Sequence, residues 1–194
     1  SSLATFCSVE ITSSMRRSFP ISTSFSKFLD LDRCYSVSRI PVDNGKELIL
    51  YNVHASAYGS DDSIRAAQMT MLFEDMAAEY QKGNYVVCGG DFNHGFTGDS
   101  SQKLNGADAD FGWAQPFPAD MLPQGFSRCI DYAGDILYPS CRNCDVPYEV
   151  GNFTIIVDGF IVSDNVTCKQ VENIDTAFTY SDHAPVKMIF TLNP

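Results

Sequence analysis

The run Tyr85-Val86-Val87-Cys88-Gly89-Gly90-Asp91-Phe92-Asn93 begins as a continuous apolar stretch and ends in two glycines, a carboxylate and an amide. Such a run reads as a strand buried on both faces, with Asp91 and Asn93, two apart, directed to the same side at its end. The paired glycines bring backbone close to something beyond the strand. A second run, Tyr180-Ser181-Asp182-His183-Ala184-Pro185-Val186, has the reverse order, acid and imidazole first and then a strand from Val186 to Phe190. In a third, Phe153 to Ser163, a lone carboxylate, Asp158, interrupts apolar residues.

A buried, unpaired Asp is costly, so Asp158 requires a metal, a histidine or backbone donors as its partner. An imidazole is the natural choice, because a carboxylate on one ring nitrogen fixes the tautomer and raises the basicity of the other. The chain has three histidines, His54, His94 and His183. His54 ends an apolar strand, whereas His94 lies past a strand end and reads as a loop residue. His54, Asp91, Asn93, Asp158, Asp182 and His183 fall at or in strands and are explained by no cap or turn. Their conjunction predicts one site for proton transfer or cation binding.

The elements that must position these groups follow from periodicity. Residues 33–42 and 47–54 alternate as strands, and Asp43-Asn44-Gly45 between them is a tight-turn signal, since Asn-Gly supplies the positive φ of a hairpin. Asp61, Asp62 and Ser63 offer a cap for a helix to about Tyr80, with Ile64, Ala67, Met71, Leu72 and Met76 as its apolar stripe. Strand, crossover helix, strand returns the chain to a sheet, which the upstream hairpin makes mixed rather than purely parallel. Leu3 to Ile11 reads as an N-terminal strand. From His94 to about Gly151 the chain makes a long irregular excursion rich in Gly, Pro and aromatic residues. Its aromatics, Phe96, Phe111, Trp113, Phe117, Phe126, Tyr132, Tyr138 and Tyr148, read chiefly as packing under loops.

The 194 residues correspond to a single domain, and 44% hydrophobic residues are enough for a core. A formal net charge of −11 with 13 basic residues works against non-specific polyanion binding, and a bound divalent cation would offset part of a carboxylate cluster. No apolar run approaches the roughly 18 residues that span a bilayer. The seven cysteines do not make a disulfide framework. Cys141-Arg142-Asn143-Cys144 admits a zinc reading, but no second pair stands at matching spacing, and the plainer expectation is loop cysteines with at most one local disulfide.

In order along the chain, Asn52-Val53-His54, Gly90-Asp91-Phe92-Asn93, Asp158-Gly159-Phe160-Ile161-Val162-Ser163 and Ser181-Asp182-His183-Ala184-Pro185-Val186 resemble the hallmarks of the endonuclease/exonuclease/phosphatase family with the deoxyribonuclease I-like fold. The resemblance implies a four-layer α/β/β/α sandwich and hydrolysis of phosphate esters assisted by Mg²⁺, or by Mn²⁺ or Ca²⁺. It implies Asp182 as a metal ligand, His183 as the catalytic imidazole held by Asp158, and Asp91 with Asn93 as the pair that handles the attacking water and phosphate oxygens. His54 resembles a second phosphate-facing histidine. Family members carry an Asn and a Glu for the metal upstream of these motifs, and this chain begins after that place, so it reads as the C-terminal part of such a domain. Further metal ligands, and any targeting segment, are then expected upstream. Weak metal binding, reduced activity and self-association through exposed sheet edges are expected of the piece alone. Two other readings stay open, a non-catalytic binding or scaffold domain and a zinc-stabilised interaction module built on Cys141 and Cys144. Within the enzyme reading, the acidic balance and aromatic loops favour a small phosphoester or lipid head group over nucleic acid.

Overall fold

The computed structural model describes residues 2–21, 32–57, 62–130, 132, 137–145 and 147–194. Ten strands and two α-helices follow in the order β1 (Ser13–Ser18), β2 (Cys34–Pro41), β3 (Glu47–His54), α1 (Asp62–Gln81), β4 (Tyr85–Asp91), α2 (Ser100–Asn105), β5 (Phe126–Arg128), β6 (Cys141–Arg142), β7 (Thr154–Ile155), β8 (Asp158–Ser163), β9 (Val166–Asn173) and β10 (Val186–Leu192). The main sheet has the order β1-β2-β3-β4-β8-β5, and β9–β10 and β6–β7 form two-stranded sheets.

The mixed sheet has the predicted connections. β2 and β3 form an antiparallel hairpin, and the α1 crossover brings β4 in parallel to β3. α1 lies on one face because Met69, Leu72, Phe73 and Met76 recur at three-and-four spacing and are buried. This stripe is offset from the expected one, with Ile64, Ala67 and Met71 only half-buried at its margin. The cap residue Asp61 lies outside the described residues. Against α1 pack Ile49, Tyr51, Val53, Val86, Cys88 and Ile161. The alternate residues of the same strands, with Tyr85, Val87 and Val162 at the centre, face Val166 and Val171 of β9 and Val186, Met188 and Phe190 of β10. Period-two alternation thus fills two cores from one set of strands, α1 outside one and β9–β10 outside the other. Three of the four layers of the expected sandwich lie among the described residues.

Two expectations need correction, and one strand was not foreseen. Leu3 to Ile11 is coil, touching the sheet where Asn52 Nδ2 donates to the Ala4 carbonyl at 3.3 Å, and the edge strand is Ser13–Ser18. The 3–11 segment has apolar residues but buries few of them, Phe6 being 95% exposed, so nothing fixes it as a strand. Phe153 to Ser163 is two strands rather than one, β7 pairing with β6 and β8 with β4 and β5. At the break, the Ile156 and Val157 carbonyls accept hydrogen bonds from the backbone N–H groups of Phe96 and Phe92. Asp158 is consequently the first residue of β8. The polar strand β9 has no run of apolar residues to announce it.

The glycines of β4 have an internal purpose. A Cβ on Gly89 would meet the Phe160 ring at 2.6 Å, and one on Gly159 the Phe96 ring at 2.4 Å, so aromatic rings of the core lie over both. Gly90, at φ +141°, has the backbone oxygen of Val53 only 2.1 Å from where its Cβ would stand. The close approach is to the neighbouring strand, not to a ligand beyond it. The excursion aromatics are chiefly packed: Phe96 and Phe117 join Phe92 with ring centroids 5.2 to 5.9 Å apart, whereas Tyr138 is 37% exposed.

Gly90→Ala is expected to destabilise the fold by about 3 kcal/mol or more, since backbone blocks the new methyl and a strained φ adds to it. Gly45→Ala, at φ +81° with nothing within 4 Å, costs about 1–2 kcal/mol from backbone conformation alone. Urea denaturation of the two variants checks the difference.

Candidate active site

Three of the predicted site residues form one row. His54 at the end of β3 pairs in register with Asp91 at the end of β4, and Asp91 with Asp158 at the start of β8. In-register neighbours project to the same face, here the face toward β9–β10. His54 Nε2 lies 3.3 Å from Asp91 Oδ2.

Asn93, just beyond β4 at φ 50°, is buried and serves the row from below. Its backbone N–H donates to Asp91 Oδ1 at 2.8 Å, and its amide Nδ2 donates to Asp91 Oδ2 and to the Ala55 carbonyl, both at 2.9 Å. The side-chain amide is therefore committed to orienting Asp91. A non-glycine residue in the left-handed region carries strain, which those three hydrogen bonds offset.

The fourth group comes from the other sheet. His183 precedes β10, and its Nδ1 lies 2.8 Å from Asp158 Oδ2, the distance expected for a carboxylate–imidazole pair. Ligand atoms of Asp91, Asp158 and His183 lie within 4.8 Å of one another. Asp182 stands beside them, half-buried, with its carbonyl accepting from Arg142 N at 3.0 Å and its Oδ1 3.5 Å from the Ser181 hydroxyl. Its carboxylate is outside that three-residue group. His94 is buried, its Nδ1 2.7 Å from the Phe92 carbonyl and its ring against Phe117, and burial lowers its pKa. It is a packing residue of the loop.

The charges act on one another strongly. Burial, and then the nearby Asp158 charge, push the Asp91 carboxyl up to about 7, against the opposing pull of His183, the Asn93 N–H and Arg33. Burial alone would lower the His183 pKa, but the hydrogen bond to Asp158 overrides it and raises it to about 12, with Cys141 adding to the rise. The site at neutral pH therefore pairs an imidazolium with a carboxyl close to half-titrated. These are the forms needed of a fixed cation and of a proton acceptor.

No protein-family model matches the sequence, and no curated protein matches it. Solved structures do. An endonuclease/exonuclease/phosphatase from Bacteroides vulgatus matches with a TM-score of 0.61 at 15% identity, over 95% of this chain and 66% of that one. A mannosyl-6-phosphatase from Bacteroides thetaiotaomicron matches with a TM-score of 0.57 at 17% identity, over 94% of this chain and 67% of that one. The catalytic domain of human nocturnin with bound sulfate matches with a TM-score of 0.58 at 14% identity, over 95% of this chain and 60% of that one. The chain has the deoxyribonuclease I-like fold of the endonuclease/exonuclease/phosphatase proteins. It spans about two thirds or less of those chains, and at such identities the likeness is one of fold.

On this fold three further residues join the site, two that sequence reasoning passed over, Ser140 and Arg33, and Cys141, which it had placed elsewhere. Ser140 is fully buried, donates its hydroxyl to Asp158 Oδ2 at 2.8 Å and accepts from the backbone N–H groups of Val157 and Asp158, both at 3.0 Å. Its carbonyl accepts from Ala184 N at 2.8 Å, so one residue ties the Asp158 strand to the His183 segment. Cys141 is a buried free thiol with Sγ 3.5 Å from His183 Nε2, and a β-bridge joins the two residues. This corrects the reading of loop cysteines: Cys144 is exposed, both are free, and among the described residues neither belongs to a group of three metal-ligating side chains. Arg33, buried just before β2, contacts His54 Nε2 with its guanidinium. Ser140 in an aperiodic loop carried no signal in the sequence, and the spacing of Cys141 pointed to Cys144 rather than to His183.

Ser140→Ala is expected to destabilise by about 1–3 kcal/mol, because two buried N–H groups lose their acceptor and a carboxylate its donor. Chemical denaturation with the alanine variant measures it. In metal-free protein the His183 ring should remain an imidazolium beyond about pH 9, and Asp158→Asn should return its titration to within about one unit of the ordinary histidine value near 6.5. Nitrogen chemical shifts of the imidazole through a pH series read this directly.

Proposed function

We propose that this protein is a hydrolase of phosphate esters, a phosphodiesterase or phosphatase assisted by a divalent cation. The observation that carries the reading is the in-register row His54, Asp91, Asp158 with His183 docked on Asp158, at one end of a deoxyribonuclease I-like sheet.

The chain's own residues divide the work. Asp158, supported by Ser140, holds Nδ1 of His183 and keeps the ring cationic, so that Nε2 presents a proton to a phosphate oxygen on which charge grows. Asp91, held by Asn93 and raised to about 7, takes the proton of the attacking water. His54, placed between Arg33 and Asp91, brings a second donor to the phosphate.

The donor set suits a hard cation. Asp158 is committed to His183 and Ser140, whereas Asp182 has open carboxylate positions beside the site, and the Asp158 repulsion that adds to burial in raising Asp91 is relieved by positive charge. Asp182 would hold Mg²⁺, or Mn²⁺ or Ca²⁺, in the manner of ions bound by one or two carboxylates together with substrate phosphate. When bound, the ion neutralises phosphate charge. The net charge of −11 favours a small phosphoester or a lipid head group over nucleic acid as substrate.

The test is hydrolysis of a panel of phosphomonoesters and phosphodiesters by the purified protein with Mg²⁺. His183→Ala and Asp91→Asn should each lower kcat by about 10²–10⁴-fold with circular dichroism unchanged. Turnover indistinguishable from that of His183→Ala on every substrate would overturn the reading.

A further inference from the structure

Arg33 stands one residue before Cys34, which begins β2 directly opposite His54 on β3, so the chain delivers its guanidinium to the end of the row. The residue is 8% exposed, and its backbone carbonyl accepts from Phe19 N at 3.0 Å. The guanidinium meets His54 at Nε2, the same atom that lies 3.3 Å from Asp91 Oδ2. A guanidinium has N–H donors and no acceptor, and it is not deprotonated in proteins. Nε2 must therefore accept with its lone pair, which places the one ring proton on Nδ1.

We propose that Arg33 is a positioning residue that holds His54 as the neutral, Nδ1-protonated imidazole and so keeps it from closing an ion pair with Asp91. The effect on turnover rests on the function proposed above, and the tautomer does not.

The consequence falls on Asp91. With no proton on Nε2, the 3.3 Å approach to Oδ2 is not an ion pair. Asp91 is then held by the uncharged donors of Asn93, and burial followed by the Asp158 charge keeps its carboxyl at about 7. An imidazolium at 3.3 Å would pull it back toward the ordinary carboxylate range, where it accepts no water proton at neutral pH. The pull of Arg33 itself on Asp91 is weaker than those of His183 and the Asn93 N–H. Among the described residues, the charged and titratable groups around His54 are Arg33, the Cys34 thiol on β2 and Asp91 on β4, with Asp158 and His183 next along the row. The two histidines of the site thus rest in opposite forms, His183 charged on Asp158 and His54 neutral on Arg33.

Nitrogen chemical shifts of the His54 ring, recorded on the metal-free full chain at neutral pH, read the tautomer. Nε2 should appear as an unprotonated nitrogen and Nδ1 as an N–H. A proton on Nε2, in the neutral or the doubly protonated ring, overturns the proposal. Arg33→Met keeps an apolar stem but removes donor and charge. It should convert His54 to the imidazolium and lower the titration of Asp91, followed by carboxyl carbon shifts, by at least about one unit. Arg33→Lys, with a donor and a charge, should hold both readouts at the parent's values. Unchanged His54 and Asp91 in a folded Arg33→Met also overturn the proposal, and if that variant does not fold, the parent's Nε2 decides. In kinetics, the acidic limb of the kcat profile should follow Asp91 downward in Arg33→Met, a shift that a purely structural role would not give. A limb that stays in place while Asp91 moves refutes the link to turnover. If no phosphate ester is hydrolysed at all, the functional reading fails while the nitrogen shifts still decide the tautomer.

Discussion

The site depends on the register of β4 between its two neighbours. Parallel pairing with β3 sets His54 opposite Asp91, and antiparallel pairing with β8 sets Asp91 opposite Asp158. Since side chains alternate at period two, a slip of one residue in either ladder would send one of these groups to the α1 face and dissolve the row. Gly89, Gly90 and Gly159 protect that register. Phe160 and Phe96 seat over the first and last, and Gly90 lets the β3 backbone approach where no side chain fits.

The row alone would be an electrostatic liability, two carboxylates side by side at the end of a buried sheet. Its compensation comes from elsewhere in the chain: Arg33 before β2 on one side and His183 before β10 on the other. Burial first, and then the same repulsion that makes the row costly, push Asp91 up to about 7, where a carboxyl exchanges protons at neutral pH. Local instability and chemical competence share their causes here, burial and like charge, as is common where titratable groups converge.

The excursion between β4 and β7 is a supporting wall rather than a decoration. Its β6 bridges to the 182–184 segment while Ser140 anchors Asp158, so the distance between the two sheets at the site is set by a single short strand. Placing Cys141 against His183 is a by-product of that bridge.

The residues by themselves were enough to determine the α1 helix, the β2–β3 hairpin, the buried β4 and the polar strand ends, because each is a local pattern of period, turn chemistry or composition. They also called for an imidazole as the natural partner of Asp158, since a carboxylate in apolar surroundings demands a counter-charge, while His183 in particular was implied by the family resemblance. The tertiary structure decided what depends on contacts distant in sequence. It broke 153–163 into two strands because Phe92 and Phe96 donate to the carbonyls at the break, left 3–11 as coil, and built β9 from a polar segment that needed the main sheet to bury its valines. It alone could enlist Arg33, Ser140 and Cys141, whose roles arise from hydrogen bonds and contacts across 18 to 42 residues of chain. Spacing along a chain reports neighbours within an element, and it is silent on which loop folds back against it.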